Sequence, residues 1–374
     1  MQAGNLKEVA RLFLQFGLFG FGGPAAHIAM MHRAIVVQRK WMTEQHFLDL
    51  VGATNLIPGP NSTEMAIHIG RERAGTNGLI VAGICFILPA VILTGFLAYL
   101  YKEYGQLPAV QPFIYGIKPA IIAIILAAVY PLAQKSFKSV GLALLGLAVL
   151  ILSLLHLNEL ALMFGAGFCW MGLQVARKAV QKPGLPGFFP FPLLQSMQIA
   201  LSAASNTSVF WIFLKIGALL YGSGYVLFAF LDAELVAKGL LSRTQLIDAI
   251  AVGQFTPGPV FSAVTFIGYQ MNGWSGAAMA TLGVFLPSFV FVALLNPLVR
   301  RMRNSKNLAV FLDAVNVASV AIIGAVCIEM GKSTLTDARA IAICLISMVL
   351  TFGFRQLNSA WVVVGALLGY LLNF

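Results

Sequence analysis

The stretch "NLIPGPNSTEMAIHIG" (Asn55–Gly70) sets two prolines, two glycines and several polar residues between apolar segments. A continuous membrane-spanning helix does not carry such a run, because each proline lacks an N–H and collides with the preceding turn. A soluble loop, for its part, does not have flanks this apolar. Of the 374 residues, 59% are hydrophobic and 10% charged, and the mean hydropathy is +0.87. No soluble domain of this length can hide that much apolar surface, so the bilayer is its solvent. The stretch is a break inside a membrane protein.

Composition removes several function classes. The four cysteines, Cys85, Cys169, Cys327 and Cys344, stand singly in apolar runs with no CxxC. They read as small packed residues rather than a disulfide framework or a zinc site. The pattern GxxxxGK[ST] does not occur, which argues against direct use of ATP, and no cofactor motif is present. A net charge of +11 reads as lysines and arginines holding loops against anionic lipid, not as a nucleic-acid surface. The N-terminal "MQAGNLKEVARLFLQFG" shows no cleavage site and leads into a first span.

Slid along itself, the sequence matches at an offset of about 200 positions. "FLQFGLFGFGG" (13–23) lies over "FLKIGALLYGS" (213–223), and Pro58-Gly59-Pro60 over Pro257-Gly258-Pro259. Gly75 and Gly78 fall over Gly273 and Gly276, and Pro89 over Pro287. The spacing predicts a first repeat over 1–177, a proline- and glycine-rich linker over 178–208, and a second repeat over 209–374. Each copy opens with an apolar run, about 9–31 or 209–231. A helix then starts at Thr43 or Ser242, residues suited to an N-cap, and stops at the PGP. A short helix runs on to Gly70 or Gly268, and four longer apolar runs follow.

The two helices flanking each PGP are too short to cross. At ~1.5 Å per residue they reach roughly the middle of a ~30 Å hydrocarbon layer. Each pair is therefore expected to be a re-entrant hairpin, whose non-helical tip is tolerated only when shielded by protein or lining a watery cavity. Five crossings per copy is an odd number, so the copies are expected to be inverted. With the first hairpin's mouth and the linker in the cytoplasm, Arg33, Arg39, Lys40, Arg71, Arg73, Lys135 and Lys138 fall inside. Inversion adds the cluster Arg300, Arg301, Arg303 and Lys306 to the same side, as the positive-inside rule requires.

A helix that begins in mid-membrane aims unpaired N–H groups and a partial positive charge at whatever precedes it. Asn61, Ser62 and Thr63 open such a helix after Pro60, and Ser262 does so after Pro259. A third start is "FGFGGPAAH", where Gly22 and Gly23 bend the chain and Pro24 suits the first helical position. Its counterpart carries Gly222 and Gly224. A lone PGP is a kink; two matched ones beside hydroxyl and amide side chains point to an anion site. The expected lining is Gly22, Gly23, Pro24, His27, Asn55, Pro58 through Thr63, Gly222, Gly224, Gln254, Thr256, Pro257, Gly258, Pro259 and Ser262.

"FGFGGPAAHIAMMHRAIV" and "NLIPGPNSTEMAIHIGRERAG", with their weaker copies, resemble the chromate ion transporter family in its two-domain form. The resemblance covers nearly the whole chain. It implies a multi-span carrier associated with chromate efflux and resistance, and carries over most directly to Gly22, Gly23, Pro24, His27 and Pro58 through Glu64. The second copy departs from it: Ser223 and Gly224 replace the Gly-Pro, and no glutamate follows its PGP.

Glu64 has two readings. With Asn61 as N-cap it occupies the capping-box position; beside a dianion it is a candidate to couple a proton to cargo movement. Asp49 and Asp248, at matched positions on the first hairpin arm, and Lys118, within a span, are further coupling candidates. Lys118 and Lys215 otherwise snorkel to the headgroups. His27 is a donor to cargo or a packed polar residue. Glu64 and His68 share a helix face, which raises a metal enzyme as a competing class, but HExxH is absent. Arg71 and Arg73 are expected at the cytoplasmic mouth, where they either anchor the chain or gather oxyanions.

The sequence therefore predicts an all-α polytopic protein of the plasma membrane, built of two inverted repeats whose broken helices meet near the bilayer centre. It moves a tetrahedral oxyanion such as chromate, driven by a proton or ion gradient. A sulfate uptake carrier, an anion channel and a non-transporting scaffold compete with that expectation, and a homodimer stays open.

Overall fold

The computed structural model describes residues 6–21, 23–54, 57–107, 110–179, 205–220, 226–303, 306–353 and 360–371. Among these every regular element is a helix. The first half contains α1 (Leu6–Phe19), α2 (Gly23–Met31) with a π-helical turn over His32–Gln38, α3 (Glu44–Thr54), α4 (Asn61–Tyr104), α5 (Gln111–Ser136), α6 (Val140–Leu154) and α7 (Glu159–Ala179). The second half repeats the order. It runs through α8 (Asn206–Leu219), α9 (Val226–Leu231) with a π-helical turn over Asp232–Val236, α10 (Arg243–Phe255), α11 (Ala263–Arg303), α12 (Lys306–Thr334), α13 (Ala338–Gly353) and α14 (Ala360–Leu371). Helix extends into both ends of the stretch expected to be the linker, of which 180–204 lie outside the described residues.

Local chemistry sets the starts. Thr43 Oγ1 accepts from the N–H of His46 at 3.3 Å. Ser242 and Gln245 form a complete capping box, as their spacing predicts. Ser139 caps α6 through the N–H of Leu142, and Asp337 does the same for α13 through Ala340 at 2.8 Å. Asp337 lies in the exposed turn before α13, and the hydroxyl of Tyr115, then the N–H of Ala340, hold its carboxyl below the usual range.

The arm after each PGP is longer than expected. It does not stop at Gly70 or Gly268 but runs to a sharp reversal at Ala74–Gly75 and at Asn272–Gly273. The reversals match closely: Gly75 has φ 64°, ψ −151° and Gly273 has φ 60°, ψ −151°. Only glycine holds such angles without strain. Past the turn the chain folds back on its own arm, Gly70 meeting Gly78 and Ala82, and Gly268 meeting Gly276 and Ala280. A second correction concerns Ser262. The chain after Pro259 first forms a tight 3₁₀ turn over Val260–Ser262, and α11 begins at Ala263.

Among the described residues five helical stretches are long and apolar enough to cross a membrane: Asn61–Tyr104, Gln111–Ser136, Glu159–Ala176, Val260–Leu294 and Asn307–Thr334. On the long part of α4, Ile80, Ile84, Leu88, Ile92 and Phe96 are exposed at four-residue spacing, and on α11 Leu282, Leu286, Val290 and Leu294 repeat the stripe. Apolar side chains turned outward along a whole helix face suit lipid. The four cysteines are unpaired; Cys327 and Cys344 are buried, but Cys169 is exposed, so the expectation of a packed thiol fails there.

The halves are interleaved. α4 packs on α11, α5 on α13 and α14, and α12 on α6 and α7. Gly83 of α4 faces the ring of Phe289, and Gly95 faces Trp274, so the long parts of α4 and α11 run antiparallel. Arg71 donates to the carbonyl oxygens of Val292 and Ala293 at 2.5 and 2.8 Å. Pro297, four residues beyond Ala293, has no N–H to offer that carbonyl. Arg73 reaches Glu8 at 3.3 Å and stacks on Trp41. Both arginines are held by contacts within the protein, as anchoring requires.

Candidate functional site

Both PGP sequences break the helix. Gly59 (φ 136°) and Gly258 (φ 90°) hold backbone angles that side-chain-bearing residues rarely adopt. The N–H of Gly59 donates to the carbonyl of Leu220, and the N–H of Gly258 donates to that of Gly20, each at 2.8 Å. Gly20 ends the helical part of the first apolar run, and Leu220 is its counterpart in the second half. Each tip is thus docked on the broken segment of the other half. These two N–H groups are committed to carbonyls.

The depth of the tips follows from their neighbours. A Cβ on Gly59 would lie 2.7 Å from Ser288 Oγ, and one on Gly258 would lie 2.9 Å from Ala90 Cβ. Ser288 is midway between Gly273 and Arg303, and Ala90 midway between Gly75 and Tyr104. Both breaks therefore sit halfway along a long apolar helix.

At the first break, Pro60 takes the N-cap position of α4 and Asn61 is already helical. The capping-box role for Glu64 is overturned: the N–H groups of Thr63 and Glu64 bond to the Pro60 carbonyl. The carboxyl instead receives a hydrogen bond from Ser288 at 3.4 Å, across the two halves. Glu64, Thr63 and Ser288 are fully buried, and His68 nearly so. Glu64 Oε2, Thr63 Oγ1 and both ring nitrogens of His68 are buried with no hydrogen-bond partner. Native interiors leave few such groups, and each needs an explanation.

The second break is built differently. His27 Nε2 bonds to the carbonyl of Gly20 at 2.9 Å, the same oxygen that receives Gly258. The ring packs edge-on against Phe86, and Nδ1 stays unpartnered. The hydroxyl of Thr94 lies 3.3 Å from Ser262 and 3.5 Å from Thr256. Gln254 Nε2 is buried without a partner. Gly23 (φ 74°) opens α2 with Pro24 behind it, as the glycine bend predicts. Gly22, Asn55, Gly222 and Gly224 lie outside the described residues.

The remaining candidates are set apart from the tips. Asp248, buried on α10, accepts from Tyr101 at 2.6 Å and pairs with Lys118 at 3.5 Å. Lys118 is thus an ion-pair partner between the halves rather than a snorkelling side chain. Asp49 accepts from Gln45 at 3.2 Å at an exposed position, and Lys215 pairs with Glu234 at 2.6 Å. Breaking a buried pair on one side strands the other charge, at about 3–5 kcal/mol. Lys118→Met is therefore expected to lower the thermal midpoint in detergent, and Lys118→Met with Asp248→Leu to recover most of it. A double variant as unstable as the single one removes the pairing account.

A polar cavity lies elsewhere, lined by His156, Glu159, Asp232, Arg243 and Glu329. Arg243 pairs with Asp232 at 3.1 Å and with Glu329 at 2.9 Å. Burial holds the Asp232 carboxyl above its usual range although Arg243 draws it down. Its three carboxyls around one arginine do not suit an anion. Among the described residues no group of three His, Cys, Asp or Glu side chains stands close enough to hold a metal.

Ser288, Tyr101 and Thr94 are the participants that sequence reasoning missed. Their partners lie 224, 147 and 168 positions away, and no local pattern marks them.

The chromate transporter profile matches residues 7–171 and 207–370. The chromate transport protein of Cupriavidus metallidurans is 29% identical over 97% of this chain and 92% of its own length. A probable chromate transport protein of Synechococcus elongatus is 27% identical over 98% and 95%. An uncharacterized transporter of Bacillus subtilis, 23% identical, matches 44% of this chain with 96% of its own length. No solved structure matches the chain. With the profile present in both halves, and the breaks and their flanking polar residues where the resemblance placed them, the chain belongs to the chromate transporter family.

Proposed function

We propose that this protein is a secondary carrier of a tetrahedral oxyanion, chromate before sulfate, working by alternating access in the plasma membrane. The observation that carries the proposal is the set of buried, unpartnered polar atoms of Thr63, Glu64 and His68 beside a helix break that lies against the middle of α11. In hydrocarbon such groups are expensive unless they line a path for a polar species. Hydroxyl and imidazole N–H groups donate to oxyanion oxygens, and Glu64 couples the cargo to a proton. A carboxyl that carries its proton while an oxyanion is beside it avoids the repulsion of two anions.

The two repeats are inverted. The antiparallel contact of α4 with α11 supports this, since equivalent helices related by a two-fold axis in the membrane plane run in opposite directions. The reciprocal docking of the tips supports alternating access by giving each repeat a hinge point on the other. With Arg33, Arg39 and Lys40 in the cytoplasm the positive-inside rule is obeyed, and the printed names of the relatives favour chromate as cargo.

The deciding experiment is uptake of labelled chromate into proteoliposomes across imposed pH gradients, with sulfate as competitor. Saturable uptake that follows the gradient and shows counter-flow is expected. Non-saturating flux makes the protein a channel, and flux driven as strongly by sulfate removes the chromate preference. Absence of flux removes transport.

A further inference from the structure

We infer that Ser288 is the positioning residue of the oxyanion site, acting through Glu64, and that the two helix breaks consequently have different jobs. The inference rests on the proposed exchange of a proton at Glu64. The breaks share a backbone: both central glycines have positive φ, and both N–H groups dock at 2.8 Å on the opposite half. Their surroundings do not match. Ser288 and Ala90 occupy the same position, one after the equivalent prolines Pro287 and Pro89, and each is the side chain that lies against the facing tip glycine. One offers a hydroxyl and the other a methyl group.

Glu64 has no ionisable counterpart either. Between Pro259 and Gly268 the second copy is one residue shorter than the first is between Pro60 and Gly70. Counted from the tip Glu64 falls over Ala263, and counted back from the glycine it falls over Ser262. Neither carries a charge. The Gly59 break alone combines a carboxyl, a hydroxyl from the other half and unpartnered polar atoms. The Gly258 break is a pivot held by Gly20 and packed on Ala90.

Ser288 is fully buried and lies beside both the Gly59 tip and the Glu64 carboxyl. Its hydrogen bond fixes Oε1 and leaves Oε2 free. On this helix the groups nearest Glu64 are Asn61, Ser62 and Thr63 before it and His68 one turn on; beyond them Arg71 is turned to the α11 carbonyls, Glu72 to His46 and Arg73 to Glu8. Among the described residues no charged side chain of another element pairs with Glu64. A hydroxyl donated to a carboxylate favours the ionised form, so Ser288 tunes the pH at which Glu64 gives up its proton. Because it belongs to the second half, that tuning holds only while the halves are docked.

The test measures the initial rate of chromate uptake against pH in proteoliposomes for the full-length wild type, Ser288→Ala, Ser288→Thr, Glu64→Gln and the pair Glu64→Gln with Ser288→Ala. Ser288→Ala is expected to move the pH midpoint upward by about one unit, the tenfold change in proton affinity that losing one charge-assisted hydrogen bond brings. Ser288→Thr, which keeps the hydroxyl, is expected to return the midpoint to the wild-type value. In the Glu64→Gln background the Ser288→Ala change is expected to have no further effect on the pH profile. Ser288→Cys replaces Ser288→Ala if the latter does not fold, with a smaller upward shift because a thiol is a weaker donor. An unmoved midpoint in a transporting protein overturns this inference alone. So does an equal shift in the Glu64→Gln background. A wild type that moves no oxyanion overturns the transport proposal as well.

Discussion

Gly59→Ala is expected to lose chromate uptake by about tenfold or more, and to lower the thermal midpoint as well. Two costs add. At φ 136° a residue with a Cβ is strained by about 1–3 kcal/mol. The new methyl group would also fall against the Glu64 carboxyl and lie 2.7 Å from Ser288 Oγ. Overpacking of a filled interior costs about 1–3 kcal/mol more. Relief of the clash requires Glu64 or Ser288 to move, which dismantles the couple held at 3.4 Å. Gly258→Ala makes the informative comparison, because its Cβ would lie 2.9 Å from Ala90 Cβ and 3.3 Å from the Gly17 carbonyl, with no carboxyl at hand. It is expected to destabilise comparably while leaving the pH profile of the remaining transport unchanged. Wild-type uptake by Gly59→Ala, measured per folded molecule in proteoliposomes, would show that the first break has no part in transport.

Glu64→Gln is expected to abolish accumulation driven by a pH gradient while the protein stays folded. The amide keeps the shape of the side chain and an oxygen to accept from Ser288, but it cannot exchange a proton. If one proton moves with each cargo ion, a gradient of one pH unit supports up to about tenfold accumulation, since one unit is about 1.4 kcal/mol. In the variant that ratio is expected to fall to one, with exchange of labelled for unlabelled chromate retained. Accumulation by Glu64→Gln equal to wild type would move the coupling elsewhere, with Asp248 and its partners Lys118 and Tyr101 next in line.

Much of the scaffold was legible because its determinants are local. Ser242 and Gln245 form the capping box that their spacing predicts, and Thr43 caps its helix. The glycine bend before Pro24 and the breaks at both PGP sequences need only the backbone rules for glycine and proline. The same local logic misled at Glu64. Asn61 and Glu64 have capping-box spacing, yet the helix begins one residue too early for it, because Pro60 takes the cap. The free carboxyl then found Ser288. Likewise a lysine inside an apolar run reads as snorkelling, and only the folded chain brings Asp248 to Lys118.

The amino-acid sequence by itself determined that this is an all-helical membrane protein of two repeats, with matched helix breaks and a polar run beside the first. Period, proline and hydropathy act within a few residues, and the duplication displays them twice. Only the tertiary structure decided that each tip docks on the other half, that the tip N–H groups are taken, and that Ser288 meets Glu64. Those contacts join residues more than 150 positions apart, where the repeats interleave. Their free energy comes from burying polar groups together in a medium that offers no water, a condition that exists only once both halves have assembled.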